Sequence, residues 1–327
     1  MRRPPSQGDV HRRDCLQVMA GAAALGATGL SCTAVAQTPS TSQSETPAVP
    51  LYSNLFTRLA AQVELGRRKS LFVLDTGAES TAISDRLASQ LQLPSGPDVM
   101  VHSINASTLV PSVLLPRMRV QSETFENIVA PVFAQEELGA EGLLGLNHLQ
   151  AFNLLLDIRN RRATLNPNQT QGLRYETGGS ELATRIQRRM STVPSHMKGG
   201  LLFMDIGVGN AQVTAFLDTG SQYSVGNEHL LKALGVIERQ LQTVMVHSVN
   251  GVTILGRSGP TADILLGRKR VPQAALLFSD LHIFNVLGLT EGPALIIGAD
   301  LLSRFDKVRI DYHTNRIALG EVMRRRG

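Results

Sequence analysis

One unit of sequence is written twice in this chain, which restricts it to folds built from two related halves. Phe72-Val73-Leu74-Asp75-Thr76-Gly77 returns as Ala215-Phe216-Leu217-Asp218-Thr219-Gly220. Val101-His102-Ser103-Ile104-Asn105 returns as Val246-His247-Ser248-Val249-Asn250. Leu143-Leu144-Gly145 and Phe152 return as Ile296-Ile297-Gly298 and Phe305, with seven residues from Gly to Phe in both. Asp157 to Leu165 and Asp311 to Leu319 share their spacing as well. The order is the same in both halves, and the period is far longer than that of a solenoid, so the unit is a duplicated domain.

Each copy reads mainly as strand. Hydrophobic residues make up 43% of the chain, with no Trp and four Tyr, so the core is aliphatic and suits strands. Short apolar runs at 72–74 and 215–217 end in Thr-Gly turns. Further strands are expected at 113–120 and 261–266. Segments 154–158 and 308–312 lead through polar turns into 163–165 and 317–319, which predicts a hairpin in each half. Short helices are expected at 85–91, at 228–234 and after each Leu-Gly or Ile-Gly element. The fold class is therefore all-β with short helices, in two lobes related by a pseudo-two-fold axis.

An Asp-Thr-Gly triplet arises by accident about once in several thousand residues of average composition. Two of them, each after an apolar strand and at the same place in a repeat, point to chemistry rather than to a pair of Asp-initiated turns. Two carboxyl groups about 3 Å apart cannot both ionise cheaply, so one keeps a proton. The ionised member can then take a proton from water while the neutral one donates to a carbonyl oxygen. In this reading Asp75 and Asp218 are the catalytic pair. Gly77 and Gly220 let the backbone turn and approach closely, and their amides can donate to the carboxylates. Thr76 and Thr219 can bond across the axis. Ala78 and Ser221 complete the loops and are the one chemical difference between them.

On Asp75-Thr76-Gly77-Ala78, Asp218-Thr219-Gly220-Ser221 and the apolar-apolar-Gly elements ending at Gly145 and Gly298, the chain resembles the retropepsin and pepsin group of aspartic proteases. The bacterial retroviral-type members are the nearest in character. The likeness covers most of residues 52–322. It implies an acid-protease fold of two retropepsin-like β-barrel lobes and endopeptidase action on extended peptides. It implies one active site per monomeric chain, with no metal and no cofactor. A hairpin after each Asp would close as a flap, placing His102, Ser103, Ile104 and Asn105 of one copy and His247, Ser248, Val249, Asn250 and Gly251 of the other against substrate. The first copy has no glycine-rich tip, and neither flap carries Tyr. The resemblance also implies that the Ser221 hydroxyl donates to the outer oxygen of Asp218, making Asp218 the readier anion and Asp75 the proton holder; the alternative is that Ser221 satisfies only its own turn. A silent peptide-binding protein on the same fold is the alternative function.

The N-terminus reads as an address. Arg12-Arg13, an apolar stretch from Val18 to Leu30 and Ala34-Val35-Ala36 stand in the order of an export signal of twin-arginine type, cleaved after Ala36. A lipid anchor at Cys32 is the lesser alternative. The organisation expected is a signal at 1–36, a flexible lead-in at 37–51, lobe 1 at 52–168, a linker at 169–199 with a surface helix at 181–190, lobe 2 at 200–322 and a basic tail at 323–327. The expected place is the periplasm or the medium of a bacterium, with no stable membrane span once the signal is removed. Both cysteines, Cys15 and Cys32, lie in the signal, so thiol catalysis, a disulfide framework and Cys-ligated zinc are excluded from the remainder. The net charge of +5 includes four Arg and two acidic residues within 1–36. What is left is too weakly basic to imply nucleic acid, and a peptide or protein substrate is the partner expected.

Overall fold

The structure, a computed structural model, describes residues 18–19, 59–103, 106–168, 190–247 and 253–323. The surface helix expected at 181–190 falls almost wholly outside them, as do the flap residues Ile104, Asn105 and Ser248 to Gly251.

The chain is predominantly β, in two lobes with short helices. In lobe 1 six strands close a barrel: Ala60–Leu65, Arg68–Leu74, Gly142–Leu144, Ala82–Ser84, Glu123–Phe133 and Ser112–Val120, in that spatial order. Strands buried on one face alternate, as in Ala60–Leu65, where Ala61, Val63 and Leu65 point inward. The strand that leads to Asp75 becomes continuous at its end, with Phe72, Val73 and Leu74 all buried. Arg68–Leu74 pairs in parallel with Gly142–Leu144, and Ala211–Leu217 with Ala294–Ile297 in lobe 2. Each Asp therefore sits just past a strand enclosed on both faces.

The short helices fall where the sequence places them. Asp85–Gln90 is capped by Ser84, whose hydroxyl accepts from Leu87 N at 3.1 Å. Glu228–Ala233 is capped by Asn227, whose Oδ1 accepts from Leu230 N at 2.9 Å. Leu146–Leu149 and Ala299–Leu302 follow the two repeated glycines.

The lobes are joined by a sheet whose strand order is Arg162–Pro167, Phe152–Asp157, Lys307–Asp311, Arg316–Leu319 and Ser191–Lys198. Both expected hairpins are present in it, and they pair with each other: Leu154 lies opposite Ile310 and Leu156 opposite Val308. Their inward residues Leu154, Leu156, Val308, Ile310, Ile317 and Leu319 are all buried. One strand falls in the segment read as linker. Ser191–Lys198 pairs with Arg316–Leu319 on one side and with Leu201–Val208 on the other. Only Val193 in it is buried and Pro194 interrupts it, so no period-two pattern marks it in the sequence.

Outside the lobe 1 barrel, Val99–Ser103 and Ser107–Val110 form the hairpin expected to be a flap. Its lobe 2 counterpart is Gln242–His247 with Thr253–Ser258. Val18–Met19, from the segment read as a signal, lies parallel to His102–Ser103 as a third strand on the first hairpin.

Candidate active site

The two Asp-Thr-Gly loops meet between the lobes. Asp75 N donates to Leu144 O at 3.1 Å and Asp218 N to Ile297 O at 2.9 Å, so each loop begins as an extension of its parallel strand pair. Each loop then crosses the segment after the repeated glycine. Leu146 N donates to Ala78 O and Asn147 N to Glu79 O, matched by Ala299 N to Ser221 O and Asp300 N to Gln222 O. A Cβ on Gly145 would stand 2.6 Å from Ser80 O, and one on Gly298 2.5 Å from Tyr223 O. Any side chain there would push the Asp-Thr-Gly loop away, which is why both copies keep glycine.

A hydroxyl locks each crossing. Thr81 Oγ1 accepts from Gly145 N at 3.0 Å, and Ser224 Oγ accepts from Gly298 N at 3.0 Å. Asn147 Oδ1 holds Thr81 N, and the Asp300 carboxylate holds both Ser224 N and Ser224 Oγ. Asp300 is half-buried, and desolvation raises its carboxyl above the usual range despite those donors. His148, against Thr81 Oγ1 at 2.7 Å and edge-on to Phe125, is driven by burial down to about 4. These supporting residues lie at fixed distances from the repeated motifs, the one signal by which sequence reading could have found them.

Across the axis the threonines bond as expected. Thr76 N donates to Thr219 Oγ1 at 3.0 Å and Thr219 N to Thr76 Oγ1 at 3.1 Å. Thr76 Oγ1 donates to Leu217 O at 3.0 Å, and Thr219 Oγ1 to Leu74 O at 2.7 Å. These four bonds tie the base of each loop to the opposite lobe.

Above this base the carboxyl groups face each other. Gly77 and Ala78 amides both donate to Asp75 Oδ1 at 3.0 Å. Gly220 and Ser221 amides donate to Asp218 Oδ1 at 2.9 and 3.0 Å. Gly77 packs directly on the Asp218 carboxyl and Gly220 on that of Asp75, so close that a Cβ on either would overlap the opposing group. Asp75 is 2% exposed and Asp218 not at all. Burial first, then the charge of Asp75, pushes the Asp218 carboxyl well above the ordinary range, against the pull of the Ser221 and Gly220 amides.

Residues 61–151 match the family described as gag-polyprotein putative aspartyl protease, and residues 204–301 match the family described as aspartyl protease. The chain is a two-lobed, retropepsin-like aspartic protease by family. Each match carries one Asp-Thr-Gly loop and its glycine crossing, and together they span more than half of the chain. A comparison with curated proteins gave no match.

Within this protease frame one expectation is corrected. The Ser221 hydroxyl donates to Tyr223 O at 2.9 Å, within its own turn, and not to Asp218. The turn supplies the nearer acceptor, so the two loops differ less chemically than Ala78 and Ser221 suggest. Burial and the facing Asp75 charge raise the Asp218 carboxyl, and no Ser221 hydroxyl opposes that rise.

The flap residues divide. The root of the first hairpin packs over the loop, with Val101 against Ala78, Ala82, Leu138 and Leu143. Ser103 closes the turn, donating through Oγ to Ala106 O at 3.0 Å. His102 turns to Ser107, Nδ1 to Oγ at 2.5 Å. His247 ends the strand Gln242–His247 of the other hairpin. One residue absent from the sequence reading stands beside the site. Glu79 follows Ala78, its Oε2 is buried with no partner, and burial pushes its carboxyl up to about 7.

Proposed function

We propose that the chain is an aspartic endopeptidase which hydrolyses peptide bonds with a water held between Asp75 and Asp218. The single observation that carries this reading is the reciprocal packing of Gly77 on the Asp218 carboxyl and Gly220 on that of Asp75. It places both carboxyls in one buried site with room for one negative charge. Asp218 holds the shared proton and donates it to the carbonyl oxygen, while ionised Asp75 takes a proton from the attacking water. The pair titrates as a unit. A tetrahedral gem-diol forms; as its C–N bond breaks, Asp75 passes its proton to the leaving nitrogen and a gem-diol hydroxyl returns one to Asp218.

Substrate binds extended beneath the hairpins. In support, the strand Val99–Ser103 already accepts the chain's own Val18–Met19 alongside it, the backbone mode by which extended peptides are held. Export belongs to the same proposal: cleavage after Ala36 would remove Val18–Met19 and leave that strand edge for substrate. The site needs both lobes and one chain, so the enzyme acts as a monomer.

The test is incubation of the purified protein with a diverse peptide library from acid to neutral pH. Internal cleavage at discrete bonds is the expected result. Binding of peptides without any cleavage would overturn the enzymatic reading and leave a peptide-binding module.

A further inference from the structure

The lobe 1 hairpin ends in a contact that the duplicated chemistry does not require. Ser107, on its outer strand, stands between two imidazoles: His102 Nδ1 at 2.5 Å on the same hairpin and His282 Nε2 at 2.8 Å on lobe 2. The two rings lie 6.3 Å apart, centroid to centroid. A hydroxyl donates one hydrogen bond and accepts others, so Ser107 can donate to one ring nitrogen while accepting the N–H of the other. The bridge therefore takes an N–H from one ring and donates to the other, or accepts an N–H from each.

We propose that His102, Ser107 and His282 form a latch that holds the first flap closed against the opposite lobe. The anchor is rigid. His282 opens the helix His282–Val286, whose next residues Ile283 and Phe284 are buried in the lobe 2 core. The lid is not rigid. The hairpin belongs to a sheet separate from the barrel, with only the two-residue strand Val18–Met19 added to it among the described residues, and a hairpin with so little support is marginally stable. Val101 and Ser103 of the inner strand are buried, whereas the strand Ser107–Val110 is largely exposed. A tether at its outer strand thus acts where packing is weakest.

Comparison of the two halves shows that the anchor is particular to one side. In the second hairpin His247 lies opposite Thr253 in register, as His102 lies opposite Ser107 in the first. That second hairpin repeats the pairing of a histidine with a hydroxyl residue. The counterpart of His282 in lobe 1 is Gln135, the first residue of the helix Gln135–Leu138. Gln135 stays with its own lobe, its side-chain Oε1 lying 3.5 Å from Ser84 Oγ. His282 thus breaks the symmetry of the duplication and gives lobe 1 alone its strap among the described residues.

The inference rests on the endopeptidase reading only for what the latch closes over, so its test has two arms. Hydrogen exchange on the whole protein, without substrate, compares wild type with Ser107→Ala, His282→Gln and the double variant. A net hydrogen bond shifts an open–closed ratio about two- to tenfold. Amides of 99–103 and 107–110 should therefore exchange about two- to tenfold faster in each single variant, with the double variant no faster than the singles. Exchange in Lys307–Asp311 should not change, and Ser107→Thr, which keeps the hydroxyl, should restore protection. Unchanged exchange at the hairpin in both single variants overturns the latch, whether or not the protein cleaves peptides. In the second arm, KM for a cleaved peptide should rise by a similar factor with kcat nearly unchanged. Faster exchange with an unmoved KM overturns the role of the latch in holding substrate.

Discussion

At Ser221 a single hydroxyl separates two accounts of the proton. Its bond to Tyr223 O means that Ser221→Ala removes a turn contact and no donor to the catalytic pair. The acidic limb of the rate profile should stay in place in that variant, measured as kcat/KM against pH. Movement of that limb upward would restore the role first read from the motif. Glu79 makes the complementary case. Its folded carboxyl titrates near 7 against an ordinary 4.5, so the folded state holds a proton that the unfolded state releases. The neutral form favours folding below about 4.5, and that contribution is lost as pH rises through 7. Glu79→Gln should therefore be more heat-stable than wild type above pH 7 and equal to it near pH 4, by melting curves across that range. The paired aspartates of the candidate site were legible because each is fixed by a triplet in a repeat. The loss of the Ser221 contact and the burial of Glu79 were not, since both depend on which acceptor or cavity the folded loop brings near.

The loop pair is the element on which the site depends, and its strength can be read bond by bond. Thr219 Oγ1 both accepts from Thr76 N and donates to Leu74 O. Thr219→Val keeps the shape and leaves two buried backbone groups without partners, at about 1–3 kcal/mol each. A loss on the order of 2–4 kcal/mol in denaturant unfolding is expected, with cleavage reduced, and Thr219→Ser should recover most of both. A Val variant as stable as wild type would mean that the lobes are held by other contacts. The strands and helices of these elements follow from pattern: continuous apolar runs before each Asp, alternation in the paired hairpins, and Ser84 and Asn227 at the helix starts. Ser191–Lys198 was hidden because its partners, Arg316–Leu319 and Leu201–Val208, hold it through backbone bonds that side-chain pattern does not record.

On the scale of the whole molecule, duplication supplies two of everything, and the fold turns two into one. The sequence showed that the halves were alike; it could not show which strands of one would pair with the other. Phe152–Asp157 and Lys307–Asp311 pair across the lobes and set the loops opposite each other, so that neither Asp has a complete site alone. The symmetry is then broken locally: Asn147 answers to Asp300, Gln135 to His282, and Asp218 is the more deeply enclosed carboxyl. Like charge and burial make this pair costly to the fold, so replacing either member with Asn should keep the protein folded. The central claim is that the two carboxyls do different work on one bond, one as acid and one as base. Its most direct measurement is kcat/KM for peptide cleavage by Asp75→Asn and by Asp218→Asn, with folding checked by circular dichroism. Each variant should lose activity by on the order of 10²–10⁴-fold or more, the range that acid–base partners supply. Near-wild-type turnover in either folded variant would contradict the shared-proton site.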